Sequence, residues 1–361
     1  MSVSRRRFCI ALGLLLAPAW CAAVAADNPP ATIGQLPNQP PAAKDNALDD
    51  FGLTPIQQSR QPAPVVTSIA ISPDGTELAT AGDNGLVNLW RLDDGKLLFA
   101  LKGHTEWVRA IAFSPDGKTL ASGGDDRTLR TWDVATGKLI NTFGPRAAAI
   151  DTLQFHPDGN AIAIGGFENT IHLLDVTSGA EIRTYNCSCN DIRGVAFSKD
   201  GKLLAAGGRD GSIVVWNTDN ASLRQNCQAD NRRIRTLAFS PDATQLASAG
   251  DDQRIHLWNV LGGNETLHLD DVKSKVMAIS FCGQNRLAAG GTDNTVRVWD
   301  LATGAEINHF AGHTGTVAAL ACDPAGKLLV SGGFDASVRT WQLDQAAGQQ
   351  AERQQNQIKS R

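Results

Sequence analysis

The chain has 361 residues, 42% hydrophobic and 19% charged, which suits a soluble core and excludes wholesale disorder. A formal net charge of −4 and a pI near 6.0 carry no nucleic-acid signature. Eight tryptophans stand beside a single tyrosine, an imbalance that points to a fixed structural job for Trp.

Residues 1–25 have the layout of a secretory signal and are set aside from the fold. The basic start Ser4-Arg5-Arg6-Arg7-Phe8 leads into an uncharged stretch, and Ala23-Val24-Ala25 offers small residues for cleavage. The arginine pair resembles the twin-arginine export signal. That resemblance implies a bacterial periplasmic protein carried across the membrane already folded. The alternative is that Phe8 to Ala26 stays as an anchor, but its 19 residues are a marginal span and Pro18 weighs against it. Trp20 is too bulky to precede Cys21 in a lipoprotein site. Cleavage leaves no membrane span and sets 30 basic residues against 37 acidic ones, a net charge of −7.

Residues 26–54, rich in Pro, Ala, Asn and Asp, read as a flexible linker. From 55 to 344 the chain repeats. Trp90, Trp132, Leu174, Trp216, Trp258, Trp299 and Trp341 follow one another at 42, 42, 42, 42, 41 and 42 residues. A period of this length marks four-stranded propeller blades, and seven positions give seven blades. The expected fold is therefore all-β, a seven-bladed propeller of four-stranded antiparallel sheets. Within a period, Val66 to Ile71 reads as a strand and Pro73-Asp74-Gly75 as its turn. The same turn recurs at Pro115-Asp116-Gly117 and Pro157-Asp158-Gly159.

Further along each period, Thr295-Val296-Arg297-Val298-Trp299 places apolar groups on both faces of a strand, so both must be covered by neighbouring blades. The polar, Gln-rich tail 345–361 offers no fourth strand for the last blade. Register places the segment from Pro55 to Arg60 there instead, predicting a ring closed by an N-terminal strand.

Gly103-His104, Gly312-His313, Trp132-Asp133 and Trp299-Asp300 are similar to the Gly-His and Trp-Asp signatures of the WD-repeat (WD40) family, over about residues 55–344. The resemblance implies a hydrogen-bonded tetrad of His, Ser or Thr, Asp and Trp within a blade. By position these are His104, Ser122, Asp126 and Trp132 in blade two, and His313, Ser331, Asp335 and Trp341 in blade seven. Blades four to six keep Asp210, Asp252 and Asp293 without the His, and blade one has Thr80 and Asn84. Blade three departs furthest, with Ile164, Glu168 and Leu174, and is expected to be the softest.

Five cysteines remain after residue 25, an odd number. In an oxidising compartment a bridge from Cys187 or Cys189 to Cys227 is one reading, and single buried thiols are an equal reading for Cys282 and Cys322. Cys187 and Cys189 would also suit a soft metal, but export and the lack of a nearby His favour a disulfide or free thiols. No nucleophile elbow, phosphate loop or H-E-x-x-H is present. No metal, cofactor or catalytic residue is expected.

The family resemblance implies instead a partner surface on one ring of loops, a common place for recognition residues. Positions before the turn acid include Phe167, Arg209 and Phe334, and those opening the first strands include Trp107, Arg109, Arg193, Arg233, Arg235 and Lys275. Trp107, Phe167 and Phe334 would act as aromatic anchors, and the cations of blades four to six would steer an acidic partner. The expected function is a non-catalytic, monomeric scaffold for protein partners. A propeller lactonase or other hydrolase, or a small-ligand binder at the central channel, is the alternative.

Overall fold

The computed structural model describes residues 63–343 except 230, 231 and 271. The signal, the linker, the proposed closing segment 55–60 and the tail lie outside the described residues. Those that are described form 27 strands, and none of them lies in a helix long and apolar enough to cross a membrane. The strands make six four-stranded antiparallel sheets and one of three, each in sequential order.

The inner strands are Val66–Ile71, Val108–Phe113, Ile150–Phe155, Gly194–Phe197, Ile234–Phe239, Val276–Phe281 and Val317–Cys322. Each packs beside the next, and the seventh packs beside the first. The ring is thus complete at its inner edge. Val66, Ile69, Leu78 and Trp90 of blade one share an apolar cluster with Ala319, Val330 and Val338 of blade seven. Face-to-face packing therefore seals the last seam independently of any outer strand.

The turns form where the sequence places them. In the first hairpin Ser72 Oγ donates to Asp74 Oδ1 at 2.6 Å, the carboxylate also accepts from Thr76 N, and Gly75 takes the left-handed conformation. Ser114 with Asp116, Ser198 with Asp200 and Ser240 with Asp242 repeat the device. On the third strand Val296, Val298 and Trp299 are all buried, as the two-faced pattern requires. Fully burying one such aliphatic side chain is worth about 1.5–3 kcal/mol.

Polar side chains add links between blades. Asn141 Nδ2 donates to the Thr177 carbonyl at 3.3 Å. One period later Arg183 donates to the Thr218 carbonyl, and one further Gln225 donates to the Val260 carbonyl. Each reaches from an outer strand to the following blade.

The cysteines pair differently from the expectation. Cys187 and Cys189 bond to each other within the crossover between blades three and four. Cys227 remains a thiol; it lies on the outer strand of blade four, where its Sγ donates to Gly263 O of blade five at 3.3 Å. Facing away from that crossover, it forms no bridge to either. Cys282 and Cys322, also read as single thiols, are joined across blades six and seven, because both close their inner strands at one end of the ring.

Candidate interaction face

Each of the first six blades has two turns at one end of the ring and, at the other, one turn plus the crossover to the next blade. All the sequence-derived partner residues lie at the crossover end. Just beneath it sit the tetrads. Trp132 Nε1 donates to Ser122 Oγ at 2.8 Å, Ser122 lies 2.8 Å from His104 Nε2, and His104 Nδ1 lies 2.8 Å from Asp126 Oδ2. In blade seven the same chain runs from Trp341 to Ser331 at 2.8 Å, Ser331 to His313 at 2.7 Å and His313 to Asp335 at 2.9 Å. Both serines are fully buried, so each hydroxyl accepts from the indole and donates to the imidazole.

Sequence reasoning missed what the other blades do. The strand position two residues before the Trp carries His172, His256 and Arg297 in blades three, five and six. His256 Nε2 lies 2.6 Å from Asp252 and Nδ1 2.7 Å from Glu265. His172 lies between Glu168 at 3.3 Å and Glu181 at 2.6 Å. Arg297 reaches Asp293 at 2.7 Å and Glu306 at 3.7 Å. A basic side chain on the third strand thus meets the turn acid that the missing crossover His would have met. The signal was legible: the turn acid stands four residues before the basic residue in each of these blades, and the outer-strand acid nine after it.

Two buried histidines, His104 and His256, respond oppositely to pH. Burial holds His104 below the ordinary imidazole value, against the attraction of Asp126. Its contribution to stability is complete above about pH 6.5 and is lost as pH falls through that range. Burial also opposes charge on His256, but hydrogen bonds to Asp252 and Glu265 prevail and raise it. Its contribution is complete below about pH 6.5 and is lost as pH rises through the folded value. We expect His104→Gln to destabilise more at pH 8 than at pH 5.5, and His256→Gln to do the reverse. Denaturant melts at the two pH values check this; the same sign for both variants would refute it.

Above the tetrads lies a ladder of charge and aromatics. Arg109 is bound to Asp125 through two bonds of 3.0 and 2.7 Å, and its guanidinium lies 4.6 Å from the centre of the Trp107 ring. Arg193 meets Asp151 at 3.1 Å and Asp191 at 2.9 Å, and lies 4.3 Å from the Phe167 ring centre. Arg233 reaches Asp191 at 3.4 Å and Arg235 reaches Asp251 at 2.5 Å. The basic patch read from the sequence is therefore largely balanced by aspartates. Arg209 and Lys275, both exposed, enter no ion pair among the described residues.

Trp107, Phe167 and Phe334 remain 38%, 56% and 46% exposed. Gly124 helps seat the first of them: a Cβ there would collide with the Trp107 carbonyl, which accepts from Asp125 N at 2.9 Å. Phe334 belongs to blade seven, on the far side of blade one from Trp107. It is not part of the arginine ladder.

At the opposite end a cavity of about 750 Å³ opens, lined by Phe113, Phe155, Phe197 and Phe239 with Pro73, Pro115, Pro157 and Pro241. The charged side chain on its wall is Lys199.

Seven radial sheets, two of them pinned by a Trp–Ser–His–Asp chain, define a repeat propeller. The family model described as IFT122 first beta-propeller matches residues 65–300, and that described as WD domain, G-beta repeat matches 304–342; the chain belongs to the WD40 β-propeller family. No curated protein matches it.

Proposed function

We propose that this propeller is a non-catalytic scaffold of the bacterial periplasm that assembles partner proteins on its crossover face. The observation that carries the reading is the pair Trp107 over Arg109 and Phe167 over Arg193. In each, an exposed aromatic ring is backed by a guanidinium that is itself fixed by aspartate. Rigid aromatics on a fixed base lose little freedom on binding, which is the usual character of an interface anchor.

Export is supported by the signal-like residues 1–25 and by two disulfides among the described cysteines, since such bonds persist in oxidising compartments. Against a channel hydrolase stands the wall of the 750 Å³ cavity, which is aromatic, proline-rich and without the convergent His or carboxylates such chemistry needs. The scaffold works as a monomeric ring.

The test is capture from periplasmic and membrane extracts by the tagged protein, quantified by mass spectrometry. A stoichiometric partner should fall at least tenfold, equivalent to about 1.4 kcal/mol, when Trp107→Ala and Phe167→Ala are combined, with the melting temperature unchanged. Capture unaffected by both changes would remove the face from consideration.

A further inference from the structure

Resting on that reading of the crossover face, we infer that the partner offers an acidic segment across blades three to six, and that Asp151 is the internal anion with which that segment competes.

Equivalent positions at the start of the inner strands of blades two to five, each 42 residues apart, hold Arg109, Asp151, Arg193 and Arg235. Asp151 stands between two guanidiniums as a built-in carboxylate. Its side chain is only 5% exposed. Oδ1 accepts from Arg193 Nη1 at 3.1 Å, and Oδ2 has no hydrogen-bond partner among the described residues. The charges that face it are Arg193 and Asp191 of the crossover into blade four, Arg109 of blade two's inner strand, and Asp125 of blade two's turn.

Counting the ladder decides the sign. Arg109, Arg193, Arg233 and Arg235 are set against Asp125, Asp151, Asp191 and Asp251, four against four. With Asp151 ionised the ladder is neutral, and Arg209 and Lys275 supply the surplus. With Asp151 neutral one guanidinium charge is released toward solvent, beside Arg209 and the exposed Phe167 ring. A bound carboxylate would make the arrangement four against five, so the acidic segment favours the protonated form of Asp151.

Burial pushes the Asp151 carboxyl up to about 6, with Arg193 and Arg109 opposing and Asp125 and Asp191 reinforcing. An aspartate in an exposed segment titrates near 3.9. Between about pH 4.5 and 6, therefore, the ligand keeps its charge while its internal competitor loses its own.

The probe is a fluorescein-labelled hexa-aspartate peptide, read by anisotropy against the purified full chain. Binding at pH 5.3 is expected to be about three- to tenfold tighter than at pH 7.5, the scale of one exposed to half-buried charge pair. Asp151→Asn should hold the tighter affinity at both pH values, and Arg209→Ser with Lys275→Ser should weaken binding at both. Calorimetry at pH 6 in two buffers of different ionisation enthalpy gives a readout that needs no variant: binding should take up protons. Affinity that is independent of pH, or binding without proton uptake, would overturn the role of Asp151. No binding at either pH, or binding indifferent to Arg209 and Lys275, would overturn the acidic segment. Either result would leave the scaffold reading standing if partner capture is still lost on substitution of Trp107 and Phe167.

Discussion

Replacing Cys282 and Cys322 together by alanine should lower the stability of the propeller by about 4 kcal/mol, the chain-entropy value for a closed loop of about 40 residues. The bond joins the inner strands of blades six and seven, where Cys282 is buried and shares an apolar cluster with Cys322, Val317 and Trp341. Without the bond the unfolded chain recovers the freedom of the segment between the two cysteines, while the folded ring loses little apolar contact. The loss should therefore appear as a lower denaturant midpoint with a steeper slope, because the unfolded ensemble expands and exposes more surface. Urea melts with and without a thiol reductant measure it, with the double variant as the reference. A midpoint shift worth less than about 1 kcal/mol would mean that the bond contributes nothing beyond packing.

Ser331→Ala, or its counterpart Ser122→Ala, comes next, at about 2–4 kcal/mol. Either substitution leaves two buried groups without a partner, the indole N–H and the imidazole Nε2, each costing about 1–3 kcal/mol. Ser248 in blade five provides the internal comparison. It accepts from Trp258 at 2.9 Å, but His256 there bonds to Asp252 and Glu265 instead. Ser248→Ala therefore strands one group and should cost about half as much. All three hydroxyls are equally buried, so solvent exposure does not confound the comparison. Equal losses in the three variants, measured by denaturant titration, would show that the tetrads behave as isolated pairs and not as a network.

The ring itself was legible because Trp recurs at a nearly constant period and because Pro-Asp-Gly and Gly-Gly turns punctuate it. These are local signals, and local signals survive in a single sequence. The tetrads followed from the resemblance to the WD-repeat family, carried over by position onto residues such as His104, Ser122 and Trp132. The substitute clamps carry no such family signature, since each joins a turn acid, a third-strand base and an outer-strand acid that come together only when the blade is paired. The face was only half legible. Sequence places Arg193 and Arg233 on neighbouring blades, but not the pairings that cross between blades, in which Asp151 reaches Arg193 and Asp191 reaches Arg233. Cysteine pairing failed on the same ground: which way Cys227 points depends on the neighbouring blade, and no local pattern records it.

The links from Asn141, Arg183 and Gln225 all point one way, from an earlier blade to a carbonyl of a later one. During synthesis the donor is in place before its acceptor leaves the ribosome. Each new blade thus arrives at a prepared edge, and no finished blade has to reopen to receive it. Growth of this arc follows the direction of translation, from blade two to blade five.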